Sequence, residues 1–122
     1  MTADPIDPAV FANLVEMTGG EMDFVDELVD TFLEDGEHQI AAMRAAVADG
    51  DVEALTRAAH SMKSGSLNVG ALELGGLCRE LEEAARSKSA VPDAEDRVTA
   101  IASVFADVRR DLLAERARRT SG

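Results

Sequence analysis

Apolar residues along this chain recur mostly at three- and four-residue steps, the period of helices with one face turned inward. Val10, Phe11, Leu14 and Val15 share one face of a short segment. It opens at Asp7-Pro8, an N-cap residue followed by proline at the first helical position, and closes at Gly19-Gly20. Such a helix is too short to stand alone and is expected to pack across one end of a larger bundle. A second stripe, over residues 21–48, runs through Phe24, Val25, Leu28, Val29, Phe32, Leu33, Ile40, Met43 and Val47, with acidic residues opposite. Gly36 interrupts it and is expected to kink or loosen the helix, at a cost of ~1 kcal/mol against alanine.

Asp49-Gly50-Asp51 then forms a turn whose last residue caps a third helix, from Val52 to Leu67. Its inward stripe is narrow: Leu55, Ala58, Ala59, Met62 and Ser66. Thr56, His60, Lys63, Ser64 and Leu67 fall on a neighbouring, more exposed face. Asn68-Val69-Gly70 stops this helix. A fourth covers 71–88, with Leu72, Leu74, Leu77, Cys78, Leu81, Ala84 and Ala85 apolar. Lys88 to Pro92 is a loop. The last helix covers 93–117 on a stripe of Val98, Ile101, Val104, Phe105, Val108, Leu112 and Leu113. The fold class is therefore all-α: an antiparallel up-down-up-down four-helix bundle with an additional short N-terminal helix. Residues 1–122 read as one domain, with 1–5 and 118–122 frayed.

Composition supports the same class and narrows the function. Hydrophobic residues make up 46% of the chain but aromatics only 3%, so the core is built from Ala, Leu, Val and Met. The net charge of −12 is concentrated in the first half, where residues 1–56 hold 14 acids against a single Lys or Arg. That surface opposes a nucleic-acid backbone, and no Trp or Tyr is present to stack on bases. Arg116, Arg118 and Arg119 are a helix end favoured by the macrodipole. A single cysteine, Cys78, rules out an internal disulfide and reads as a small buried hydrophobe. No signal peptide is visible, and no apolar run reaches the ~18 residues of a membrane span, so a cytoplasmic protein with no membrane contact is expected.

One stretch carries candidate chemistry. His60 sits mid-helix, with Lys63 one turn on and small residues Ser64, Gly65 and Ser66 beside it. A neutral imidazole can attack phosphorus through one ring nitrogen. To do so it must be exposed, its other nitrogen must be held by an acceptor, and a cation must lie near the phosphoryl oxygens. Lys63 supplies the cation. Helix geometry supplies the acceptor: the chain descends from His60 to the Asn68–Gly70 turn and climbs back, and at ~1.5 Å per residue Glu82 returns to the height of His60. Glu82 is thus expected to accept from Nδ1, leaving Nε2 as nucleophile. Ser64 and Gly65 leave room for another protein, and Leu67 offers an apolar docking contact.

The run His60-Ser61-Met62-Lys63-Ser64-Gly65-Ser66…Gly70-Ala71 resembles the motif of histidine-containing phosphotransfer (HPt) domains of two-component phosphorelays: His-x-hydrophobic-Lys-Gly-small-small with a later Gly. The resemblance extends through Leu77-Cys78-Arg79-Glu80-Leu81-Glu82, the opening Ile6-Asp7-Pro8 and the run Phe24 to Glu34, covering most of residues 6–86. It implies that His60 is the phosphorylation site, that Glu82 bonds the imidazole and that Lys63 assists with the phosphoryl charge. It also implies exchange of phosphate with an aspartate on a response-regulator receiver domain, or with a histidine kinase. Mg²⁺ would come from the receiver's acidic pocket, with no intrinsic cofactor and no nucleotide site. Two positions depart: Ser64 stands where the family has Gly, with Gly shifted to 65, and Leu67 is larger than the common Ala.

Rival readings are weaker. A di-metal bundle needs two Glu-x-x-His pairs, and only Asp35-x-x-His38 comes close. His38 has no setting like that of His60 and reads as a surface residue. A dimeric histidine-kinase core usually places an acidic residue after its histidine; here Ser61 follows, and no ATP domain is present. The expectation is a monomeric phosphoryl carrier rather than an enzyme. The alternative is a non-catalytic helical adaptor that binds signalling partners without phosphotransfer.

Overall fold

The computed structural model describes residues 6–87 and 91–121. The described residues form five helices: α1 (Pro8–Met17), α2 (Met22–Asp49), α3 (Val52–Asn68), α4 (Leu72–Ser87) and α5 (Ala94–Ser121). The predicted boundaries hold within one or two residues, except that α5 continues to Ser121 rather than ending at 117. Residues 1–5 and most of the expected loop at 88–92 lie outside the described residues.

Local chemistry starts and stops each element. Asp7 caps α1 by accepting a 2.9 Å hydrogen bond from the Ala9 amide, with Pro8 in the first turn. Asp51 caps α3 in the same way, accepting from the Ala54 amide at 3.0 Å. Gly50 takes a left-handed φ of 67° to end α2, a conformation that glycine adopts without Cβ strain. Short connections make successive helices antiparallel, and α2 packs on α3 and α5 while α4 packs on α3 and α5. That closes the four-helix bundle. The α1 segment lies at one end. The Asp7 amide donates to the Gly70 carbonyl at 2.7 Å, tying the start of α1 to the α3–α4 turn, and Phe11 is buried beneath it.

The core stripe of α3 is the predicted one: Leu55, Ala58, Ala59, Met62 and Ser66 are its buried residues. Cys78 is buried, and desolvation pushes its thiol up to about 12, so it stays protonated and unreactive. Other expectations are corrected. Phe24 and Leu28 of α2 and Leu72 of α4 are exposed rather than part of the inward face. At its N-terminal end α2 extends past α3, and the short α1 leaves its outer face uncovered.

Gly36 does not interrupt the helix, because α2 runs unbroken from Met22 to Asp49. Its missing side chain is instead the close-packing point of α2 against α5: an added Cβ would overlap the Phe105 ring, coming within 2.6 Å of Cζ. Phe105 in turn packs on Phe32, with ring centroids 5.9 Å apart. Gly36→Ala therefore gains ~1 kcal/mol of helix propensity but overpacks this contact at a larger cost, and a net loss of up to about 2 kcal/mol is expected. A urea midpoint at or above that of the wild type would overturn this account.

Candidate functional site

The site is built across the α3–α4 seam. His60 projects from the middle of α3 with its side chain 57% exposed. Glu82, on α4, is buried to 3% exposure, though its neighbours Glu80 and Glu83 face solvent. Leu81 and Ala85 anchor that face of α4 in the core and carry Glu82 to the seam. His60 Nδ1 lies 2.8 Å from Glu82 Oε2, the contact expected from the helical hairpin. A carboxylate only accepts, so Nδ1 carries the hydrogen, and in the neutral ring Nε2 is the nitrogen with the lone pair.

Lys63, one turn below His60 and 24% exposed, places Nζ 2.8 Å from Glu82 Oε1. The contact is a close ion pair to the buried carboxylate. Arg86 completes the cluster, donating from Nη2 to Oε2 at 2.7 Å. A buried carboxylate is costly without partners, and these three groups compensate it. The Lys63 contact, and secondarily that of His60, hold the Glu82 carboxyl below its ordinary value against burial, which acts in the opposite direction.

The expected docking residues occupy different settings. Ser64 is exposed. Gly65 lies at the α2–α3 seam, where an added Cβ would touch the Phe32 ring at 3.5 Å. Leu67 is 44% exposed, and its side chain also lies over Gly75 of α4, where any Cβ would collide with it. The pairing of Gly65 with Phe32 sets the register of α2 beside α3. By that register Leu28 lies about 13 Å along the bundle axis from His60, at ~1.5 Å per residue. Met17, Phe24 and Leu28, all exposed, line a groove of about 470 Å³ at that end with Thr18, Glu27 and Thr31.

Sequence reasoning missed Arg86 and this apolar groove. The i,i+4 spacing of Glu82 and Arg86 was a visible signal for the first. For the second, the apolar period was visible but not which part of it lay uncovered. Among the described residues, no group of three or more His, Cys, Asp or Glu is placed to hold a metal ion, and no helix is long and apolar enough to cross a membrane.

A helical bundle that presents an exposed imidazole, held from behind by a buried carboxylate, is the architecture of a phosphotransfer domain. The family model for the Hpt domain matches residues 27–116, and the chain belongs to that family. The structure is similar to the crystal structure of histidine-containing phosphotransfer protein B (HptB) from Pseudomonas aeruginosa PAO1. That match has a TM-score of 0.87 and 38% identity and covers 96% of this chain and 98% of that one. No curated protein sequence matches the chain. The protein has a phosphotransfer role in a phosphorelay. Members of this family are phosphocarriers rather than true enzymes, and they interact with receiver domains and kinases.

Proposed function

We propose that His60 is the residue that carries the phosphoryl group, and that it exchanges it with the aspartate of a response-regulator receiver domain. The observation that carries this assignment is the exposed His60 side chain with Nδ1 held by buried Glu82, which leaves Nε2 as the ring nitrogen that Glu82 does not engage. In the forward step Nε2 attacks the phosphorus of the receiver's aspartyl phosphate. A P–N bond forms, the P–O bond breaks, and the aspartate leaves as a carboxylate. The same path runs backward when the receiver is the acceptor. Glu82 fixes the ring and shares the Nδ1 proton as positive charge develops there. Lys63, 2.8 Å from Oε1 in the resting site, turns toward the phosphoryl oxygens as their charge builds. The protein has no ATP site of its own on this reading, and the receiver brings the Mg²⁺. It works as a cytoplasmic monomer.

The receiver docks over His60, Ser64 and Leu67 and reaches the apolar groove of Met17, Phe24 and Leu28. A typical interface of ~800 Å² per partner spans both. The test is transfer from a labelled phospho-receiver. Acid-labile, base-stable label is expected on the protein. Lys63→Ala should slow transfer about tenfold to hundredfold at saturating receiver, as loss of a charge-stabilising donor does. Leu28→Asp should raise the receiver concentration needed for half-maximal rate. Equal rates for Lys63→Ala would reduce Lys63 to a structural partner of Glu82, and an adaptor without phosphotransfer would take up no label at all.

A further inference from the structure

We infer that the α2–α5 face is a docking groove for an acidic amphipathic helix of a second partner protein, one that binds on the side of the bundle away from His60. The groove has a volume of about 780 Å³ and follows the seam between the two helices. On α2 it is lined at Glu37, Ile40, Ala41 and Arg44, the i, i+3, i+4 and i+7 positions of one helical face. On α5 it extends from Ala102 to Leu113, about 16 Å or three turns at the usual rise per residue. Ala41 and Ala106 are exposed, Ala102 and Leu113 are half-buried, and Ile40 and Phe105 lie buried beneath them. On most bundle surfaces long charged side chains lay their methylene stems over such a floor. Here the alanines leave it open, with room for another helix to approach closely.

The rim decides which helix fits. Three arginines, Arg44, Arg109 and Arg110, stand there against one acid, Glu37, on a chain whose net charge is −12. Residues 1–56 hold 14 acids and a single Lys or Arg; that one cation is Arg44, and it lies at this groove. Its guanidinium pairs with no acid among the described residues. Arg109 reaches Glu37 only at 3.9 Å, and Arg110 reaches Asp107 of its own helix at 3.4 Å, with all four side chains at least half exposed. Exposed pairs this loose give way readily to carboxylates on an incoming partner. A second copy of this chain fits poorly, because a two-fold pairing through this face would set the same three arginines against one another. The position of the groove separates it from the phosphotransfer site. Since α3 and α5 each pack on both α2 and α4, the α2–α5 seam lies across the bundle from the α3–α4 seam. A helix seated in it leaves His60 and Lys63 uncovered.

The test uses two synthetic helical peptides of about four turns, with leucine at the i, i+3, i+4, i+7 and i+11 positions and either glutamate or lysine on the flanks. Titrated into the ¹⁵N-labelled full chain, the glutamate peptide should bind saturably and more weakly as salt rises. It should shift the amides of residues 37–44 and 102–113 while those of His60, Lys63 and Glu82 stay in place. The lysine peptide should bind at least about tenfold more weakly. Arg44→Glu combined with Arg110→Glu should weaken the glutamate peptide about tenfold. Ala106→Glu, which plugs the floor from an exposed helical position, should abolish its binding with the melting curve retained. Neither variant, nor saturating glutamate peptide, should change the rate at which the protein takes label from a phospho-receiver. Absence of saturable binding, equal affinity for both peptides, shifts confined to the groove of Met17, Phe24 and Leu28, or slowed label transfer would each overturn the inference. So would a dimer of the unmodified chain in sedimentation that Ala106→Glu dissociates, since that result gives this face to a second copy. The assignment of His60 is a separate matter: label persisting in His60→Gln defeats it and leaves the peptide result standing.

Discussion

The His60→Gln protein is expected to take up no acid-labile label from a phospho-receiver while melting within about 1 kcal/mol of the wild type. The loss of label is total because the amide nitrogen of glutamine has its lone pair delocalised into the carbonyl and cannot form a stable bond to phosphorus. The fold survives because more than half of the His60 side chain faces solvent and contributes no core packing. Glutamine also keeps a donor that reaches toward Glu82, so the buried carboxylate is not stranded. Retained circular dichroism with absent label separates loss of the nucleophile from loss of structure. His38 is the internal control. It sits exposed on α2 and is not among the groups paired with Glu82, and His38→Gln should transfer at the wild-type rate. Label that persists in His60→Gln and disappears in His38→Gln would move the acceptor to α2 and remove the functional meaning of the α3–α4 seam.

The elements around His60 were legible in the sequence because each rests on a local rule. The buried stripe of α3 follows from helical period alone, and Asp7-Pro8 and Asp51 declare the starts of α1 and α3 through capping. Glu82 was legible because a tight turn and a fixed rise per residue determine which positions in a hairpin come level. What the sequence concealed depends on contacts between distant segments. Period shows that Phe24 and Leu28 lie on an apolar face but not whether anything covers them; α1 is short and leaves them open. Gly36 reads locally as a weak point, and its reason appears only when Phe105, far along the chain, is laid against it. Arg86 looks like an ordinary surface arginine until Glu82 is known to be buried and turned toward α3.

Glu82 gives the second large effect, and two substitutions divide it. Glu82→Ala removes the acceptor behind His60, so transfer should slow on the order of tenfold to hundredfold, the usual penalty for losing the group that orients an imidazole. Glu82→Gln keeps an oxygen that accepts from Nδ1 but not the charge, and its rate should fall between those of Glu82→Ala and the wild type. The charge has its own signature in stability. The folded protein holds the Glu82 carboxyl below its ordinary value, with the Lys63 contact the main cause, so near the normal carboxylate range of about 4.3 the unfolded chain binds more protons than the folded one. The stabilisation is therefore fully present above that range and drains away as pH falls through the lower, folded value. In Glu82→Gln this contribution is missing, so the acid-side slope of unfolding free energy should be shallower than in the wild type, by at most about 1.4 kcal/mol per pH unit for one proton. The other 23 acidic residues titrate in both proteins and cancel in the difference. Urea melts from pH 6 down to about 3 would read that difference. Parallel slopes would mean that the carboxylate gains nothing from its cations, and the partnership of Glu82 with Lys63 and His60 would then have to be geometric rather than electrostatic.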